Sequence, residues 1–487
     1  MRPLLFAAIA AAAPALTPVR TSSGPILGHA SNWHPAVTEY LGIPYAQPPV
    51  GTLRFAPPAP YTSNASFTAA HFSPTCPGNV HANGSISYVS VKETVKSVLG
   101  EAESVFGEDC LSLNIWTRPE AGERSKAVMF WIYGGGFNAG NSDSPVYNGA
   151  RLAEEQDVVV VSINYRVHAF GFPGAPFLAD KNVGLLDQRL ALEWVRDNIA
   201  AFGGDPTRIT IFGQSAGGLS VDYHTYAWAS DPIAAGFISS SGSITPTTRG
   251  GVSGSGTGWW TLSKALGCGN ATAGEASLAC VRGKSMEQIL SATRELPRVG
   301  VFGPTPDGRV VFEDTAARRA RGQFAHRPLL VGNTNNEGAL YEMLGQVNLF
   351  SGSGPGINCL TKGTAGARAK AGVPTWRYIY QAEWPNADIG KKGAYHAADI
   401  PLWFGTTERF THVADTAEEK VLIQKMMGAW AGFAKDPVGG LGRLGWPRYD
   451  ESTASVVLLG GPNSAEIKFE KSATVDVYGT AGQEKAC

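Results

Sequence analysis

Gly213-Gln214-Ser215-Ala216-Gly217 carries the strongest chemical signal in this 487-residue chain. It follows the apolar run Ile209-Thr210-Ile211-Phe212 and precedes a helix-compatible stretch. A strand turning sharply into a helix forces the serine of G-x-S-x-G into a strained turn. The flanking glycines let neighbouring atoms approach without a Cβ clash. Ser215 Oγ would then stand exposed beside a helix N-terminus, where developing negative charge is favoured. Those are the requirements of a nucleophile for acyl transfer. A second apolar run, Val128 to Ile132, leads directly into Tyr133-Gly134-Gly135-Gly136-Phe137. Glycines at a strand end can turn backbone N–H groups towards a cavity. Acyl transfer needs such donors at the oxyanion of its tetrahedral intermediate, and loss of one typically costs ~10²–10³ in rate. The expected oxyanion hole is built from the amides of Gly135, Gly136 and Ala216.

A serine nucleophile also needs a base, and the base needs an orienting acid. In a strand–turn–helix hydrolase the chain order is serine, acid, histidine. Four histidines follow Ser215: His224, His326, His396 and His412. His224 falls on the helix that Ser215 opens, and His326 comes too early for the order. His396, in Tyr395-His396-Ala397-Ala398-Asp399, lies in the loop after the strand candidate Trp376 to Gln381 and is preferred to His412, which sits beyond it. For the acid, Glu337 is the sole carboxylate in the loop Asn333-Thr334-Asn335-Asn336-Glu337-Gly338. It is preferred to Asp307, Glu313 and Asp314, which precede the intervening strand.

The elements that would hold these residues are legible as β-branched apolar runs alternating with helical patterns, the mark of a mostly parallel α/β sheet. Strands are expected at Ala127 to Tyr133, Val158 to Asn164, Arg208 to Phe212, Gly236 to Ser240, Pro328 to Gly332 and Trp376 to Gln381. Gly184 to Ala201 reads as an amphipathic helix. Glu418 to Lys435 reads as another, ended by Asp436-Pro437. The first 75 residues look like a β-rich edge of the same domain. Gly250 to Gly258 and Ser351 to Gly356 look like surface loops. No boundary between independent domains is evident.

Net charge is −1 and no long basic run occurs, which argues against a nucleic-acid partner or a polybasic anchor. Arg2, the apolar stretch Leu4 to Ala13 and the small residue Ala15 have the layout of a secretory signal peptide over residues 1–15. The expected mature chain is residues 16–487, exported and extracellular. Six cysteines are an even count, which in an exported chain reads as disulfides. N-x-S/T sequons at Asn64, Asn83 and Asn270 are potential glycan sites. No Cys/His cluster has zinc spacing, and the chemistry requires no metal or organic cofactor.

These motifs resemble those of the type-B carboxylesterase/lipase family, which includes carboxylesterases, cholinesterases and fungal lipases. Phe202-Gly203-Gly204-Asp205-Pro206 through Gly217 looks like its serine signature. Glu108-Asp109-Cys110-Leu111-Ser112-Leu113-Asn114-Ile115 looks like its second signature. Tyr40 to Ala46 with Arg54-Phe55, Asn164-Tyr165-Arg166, and Trp430 to Pro437 followed by Trp446-Pro447 extend the likeness from Gly24 to Tyr449. The resemblance implies one α/β-hydrolase domain, the triad Ser215, Glu337 and His396, and disulfides Cys76–Cys110 and Cys268–Cys280. Cys359 and Cys487 are what remains. The Glu337 to His396 interval is shorter than the family's, which implies a more open site. Gln214 stands where cholinesterases carry glutamate, and the Cys76–Cys110 loop lacks a tryptophan, so choline esters are not the expected substrates.

Within that loop Val91, Val95, Val98 and Leu99 recur at helical spacing. They suit either a lid opening on a lipid surface or, preferred, a flap helix packed on the body. The expected function is hydrolysis of a small-molecule or lipid ester through an acyl-enzyme. Two rivals are a catalytically silent adhesion protein of the same fold and a hydrolase of amides or thioesters.

Overall fold

The computed structural model describes residues 17–78, 105–244, 257–293, 301–343, 356–475, 477–478 and 485–487. Its centre is an eleven-stranded sheet. In chain order the strands are β1 (His29–Ala30), β2 (Thr38–Pro44), β3 (Ser112–Thr117), β4 (Lys126–Ile132), β5 (Val159–Ile163), β6 (Gly204–Gln214), β7 (Gly236–Ser240), β8 (Leu329–Thr334), β9 (Thr375–Tyr380), β10 (Ala454–Gly461) and β11 (Ser464–Lys471). Their spatial order is β11-β10-β9-β8-β7-β6-β4-β5-β3-β2-β1. Every pairing from β5 across to β10 is parallel, and the strands beyond at either edge pair antiparallel. The parallel strands are covered on both faces, which is why β4, β5, β7, β8 and β9 are buried at every residue and why β4 and β5 read as nearly continuous apolar runs.

The six expected strands are all present, with bounds shifted by a few residues. Three more strands of this sheet go beyond those expected: β3, which falls in the second signature motif, and the C-terminal hairpin β10–β11. Trp376 to Gln381 is therefore not the last strand. The expected helices form as α1 (Val183–Asn198) and, near the C-terminus, Ala417–Lys435. The second begins at a capping box. Thr416 Oγ1 accepts from the Glu419 amide at 3.1 Å, and Glu419 reaches back to the Thr416 amide. Residues 250–256 and 351–355 of the two expected loops lie outside the described residues; the last two residues of the first, Thr257 and Gly258, instead open a helix, Thr257–Ala265, with Gly258 buried beside Val301. Trp259 ties that helix to the body, its indole N–H donating to Ser277 Oγ at 3.0 Å.

Aromatic residues fill the space under the sheet. Trp131 of β4 packs on Phe212 of β6 at 4.9 Å and on Phe404, and Trp403 stacks on Trp430 at 5.3 Å. A buried ion pair joins the segment after β5 to α1. Arg166 Nε and Nη2 donate to Asp187 at 2.8 and 2.7 Å, with both side chains almost wholly buried. Three disulfides close the chain: Cys76–Cys110, Cys268–Cys280 and Cys359–Cys487, with Cα separations of 5.1, 5.5 and 5.1 Å. Among the described residues, no helix is long and apolar enough to cross a membrane. The leader at 1–15, the Val91–Leu99 segment and Asn83 lie outside the described residues.

Candidate active site

The serine motif folds as its glycines require. β6 ends at Gln214, and the helix α2 (Ala216–Ala227) begins two residues later. Ser215 between them has φ 57° and ψ −122°, a strained conformation for a residue with a side chain, costing about 1–3 kcal/mol. The surroundings enforce it. The Ser215 amide donates to Ser240 O of β7 at 2.9 Å, and its carbonyl accepts from Leu219 at 2.8 Å. A Cβ on Gly217 would lie 2.0 Å from the Ile132 carbonyl oxygen, and one on Gly213 would lie 2.5 Å from that of Gly217. Both glycines are thus needed for close approach of backbones. Ser215 remains partly exposed while Gln214 and Ala216 are buried.

Glu337 and His396 meet although 59 residues separate them. Glu337 follows β8, and His396 lies in the long excursion after β9, so both emerge at the carboxyl ends of parallel strands two and three places along the sheet from β6, where ligand sites of such sheets form. His396 Nδ1 bonds Glu337 Oε2 directly. The other carboxylate oxygen, Oε1, accepts from Ser241 Oγ at 2.7 Å and from the Thr334 amide at 2.8 Å. Both side chains are largely buried, at 5% exposure for His396 and 10% for Glu337. A carboxylate so bound faces Nδ1 as an acceptor. The neutral ring therefore carries its proton there and leaves Nε2 bare.

The glycine loop after β4 lies against the nucleophile: a Cβ on Gly134 would come 2.9 Å from Ser215 Cβ. Gly135 and Gly136 have φ of 115° and 63°, backbone conformations that favour glycine. The amides of Gly135, Gly136 and Ala216 donate to no other group among the described residues. Phe137, with φ 61°, fixes the loop's far end through its carbonyl, which accepts from the His168 amide at 2.6 Å.

Several neighbours were not anticipated. Gln214 Nε2 lies 3.1 Å from His396 Nε2. Tyr341 stands one helical turn after Glu337 on α3 (Gly338–Met343), hydrogen-bonds Ser215 and places its ring 5.3 Å from that of His396. Its i, i+4 spacing from Glu337 was the available clue. Ser241, which supports Glu337, has φ 49° and no sequence signature. Asp399 is fully buried; burial, then the nearby charge of Glu337, pushes its carboxyl up to about 8. His168 is buried with a left-handed φ of 55°, and burial pulls its imidazole down to about 4.

The rival residues lie elsewhere. His224 sits on α2 as expected, buried against Trp228 and pushed down to about 3 by burial and then by Arg189. His326 stacks on Phe324, and His412 is exposed after a short helix. Asp307 is occupied by Asn182 and three backbone amides, and Asp314 pairs with Arg318. No group of three or more metal-ligating side chains occurs among the described residues. Asn64 and Asn270 are exposed.

The sequence matches the carboxylesterase family over residues 16–351 and 356–476. A secreted lipase of Gibberella zeae (Secreted lipase 5) is 32% identical, covering 94% of this chain and 93% of the relative. A chlorogenic acid esterase of Aspergillus niger is 34% identical over 88% of this chain and 84% of its own. A para-nitrobenzyl esterase of Bacillus subtilis is 30% identical over 96% and 99%.

Proposed function

This chain belongs to the carboxylesterase family, with its α/β-hydrolase fold, and hydrolyses carboxylic esters; from that premise we propose that it works through an acyl-enzyme on Ser215. The observation that carries the proposal is the Glu337–His396 contact beside the Ser215 turn. His396 Nε2 takes the Ser215 proton as Oγ attacks the ester carbonyl. Glu337 holds the ring in that tautomer and stabilises the imidazolium. The amides of Gly135, Gly136 and Ala216, which donate to no other group among the described residues, receive the oxyanion. His396 then protonates the departing alcohol. Water, activated by the same imidazole, releases the acid and restores the serine.

The test is turnover of a short p-nitrophenyl ester by Ser215→Ala and His396→Ala. Each should lose at least ~10³ in kcat, because members of a triad act as a unit. A Ser215→Ala protein with wild-type turnover would remove the proposal.

The acyl and alcohol groups call for a separate measurement, since the relatives' names include both a lipase and an esterase. Rate against substrate concentration decides it. Smooth saturation by monomer marks a soluble ester as substrate, and a sharp rise above the micelle threshold marks a lipid surface. We further read residues 16–487 as one domain of an exported, glycosylated protein. The three disulfides and the exposed Asn64 and Asn270 support export. Mass lost on treatment with an N-glycosidase, and loss of the first ~15 residues from the secreted product, would test that reading.

A further inference from the structure

The residue before the nucleophile touches the base. Gln214 is the last residue of β6, and its side chain is 3% exposed. Its Nε2 lies 3.1 Å from Nε2 of His396, itself 4% exposed. Nδ1 of that ring is committed to Glu337 as a donor, so Nε2 presents a lone pair. Of the two ends of a carboxamide, only the NH2 group can bond a lone pair. The Oε1 end is turned towards the oxyanion loop, where a Cβ on Gly134 would lie 3.0 Å away.

We propose that Gln214 is a positioning residue for His396, whose uncharged carboxamide fixes Nε2 as an acceptor and disfavours premature protonation of the ring. This rests on the reading of His396 as the base. The chemistry has two parts. An N–H donor at Nε2 stabilises the neutral ring in the tautomer that can accept the Ser215 proton. The same donor opposes an N–H at that atom, so a proton arriving from solvent meets a poor site. When the proton arrives from Ser215, the carboxamide gives up its bond as Nε2–H turns to the substrate oxygen. A carboxylate at this position would do the reverse, attracting a proton to the ring in the resting enzyme.

The other groups facing His396 are Glu337, Tyr341, Ser215 and, on its own segment, Asp399. Glu337 supplies negative charge at Nδ1, and Tyr341 and Ser215 are neutral hydroxyls near the ring. Asp399, three residues along the chain, is buried and bonded by Tyr378 at 3.1 Å. Among these side chains, Gln214 is a neutral N–H donor at Nε2.

The experiment compares wild type, Gln214→Glu and Gln214→Met by the pH dependence of kcat/KM on a soluble p-nitrophenyl ester. Unfolding temperature and stoichiometric labelling by a fluorophosphonate verify the fold. A carboxylate within ~4 Å favours an imidazolium by 1–3 pH units. In Gln214→Glu the acid limb should therefore move to higher pH by at least about one unit, a tenfold loss of rate on the limb. Gln214→Met, which removes the donor and adds no charge, should move the limb the same way by less. A folded Gln214→Glu protein with an unmoved limb overturns the inference. If that variant does not fold, an unmoved limb in Gln214→Met overturns it equally. His396→Ala separates the two levels: wild-type turnover there removes the triad reading, whereas an inactive His396→Ala beside an unmoved limb removes only the role of Gln214.

Discussion

Replacing Glu337 by glutamine changes one oxygen to an NH2 group and leaves the side-chain shape intact. The surroundings decide how the amide must lie. Oε1 of Glu337 accepts two hydrogen bonds, from Ser241 Oγ at 2.7 Å and from the Thr334 amide at 2.8 Å. A glutamine that keeps its oxygen there retains both and directs NH2 at His396 Nδ1. The ring must then carry its proton on Nε2, where it cannot accept one from Ser215. The opposite orientation sets NH2 against the Thr334 N–H and leaves a buried donor unpaired. One such loss costs about 1–3 kcal/mol; a comparable penalty falls on the wrong tautomer, whose Nε2–H meets the Gln214 NH2 group, so the tautomer preference contributes little net. The variant also lacks the carboxylate that attracts the imidazolium. For charges ~4 Å apart at an effective dielectric of ~20 that attraction is about 4 kcal/mol, of which about 3 kcal/mol remains once the glutamine dipole substitutes in part. What remains is about 3 kcal/mol, or a fall of ~10² in kcat. KM should change little, because Glu337 lies behind the imidazole. Steady-state hydrolysis of p-nitrophenyl acetate, with active sites counted by fluorophosphonate titration, measures it. A Glu337→Gln enzyme within threefold of wild-type kcat would refute the reasoning.

Other outcomes follow from the same contacts. Gly217→Ala should fail to give soluble active enzyme, since its Cβ would sit 2.0 Å from Ile132 O, whereas Gly136→Ala faces open space and should fold with a loss of about 1–2 kcal/mol from its left-handed φ; comparing yields and unfolding temperatures checks the contrast. Asp399 is neutral when folded, with its carboxyl raised to about 8, and ionised when unfolded above pH 4. The wild type therefore loses stability as pH rises through that window, at about 1.4 kcal/mol per unit. Asp399→Asn should abolish that slope, so a denaturant-midpoint gap between the two proteins that stays constant from pH 4 to 8 would contradict the assignment. Removing Cys359–Cys487, which spans 128 residues, should destabilise by about 5 kcal/mol, against about 3 kcal/mol for Cys268–Cys280, which spans 12. Equilibrium unfolding of the paired Cys→Ser variants would show the order.

Residues whose role depends on local geometry were readable without coordinates. The Ser215 turn is dictated by glycines that no larger residue can replace, and the buried parallel strands β4 and β5 announce themselves as nearly continuous apolar runs. Glu337 and His396 could be chosen because chain order and strand ends restrict where an acid and a base can emerge. Gln214 was legible only as the residue standing where cholinesterases carry glutamate; its contact with His396, like the contacts of Tyr341 with Ser215 and of Ser241 with Glu337, spans more than 90 residues of chain, and a polar side chain shows no preference for such a partner until the fold brings it there. The helix Ile357–Lys370 was hidden for another reason. Its sequence carries Gly363 and Gly366, poor helix formers, and a weak apolar stripe, so tertiary packing on β8 and β9 decides it. The final hairpin had a visible signal in Val456-Val457-Leu458-Leu459 that was passed over.

Trapping the acyl-enzyme addresses the central claim most directly. The enzyme is mixed with a slowly deacylated ester at low pH, quenched, digested and mapped by mass spectrometry. One acyl group per chain, carried by Ser215 and absent from the Ser215→Ala protein, is the predicted result. An adduct on any other residue, or full turnover with no adduct on Ser215 at any stage, would contradict it.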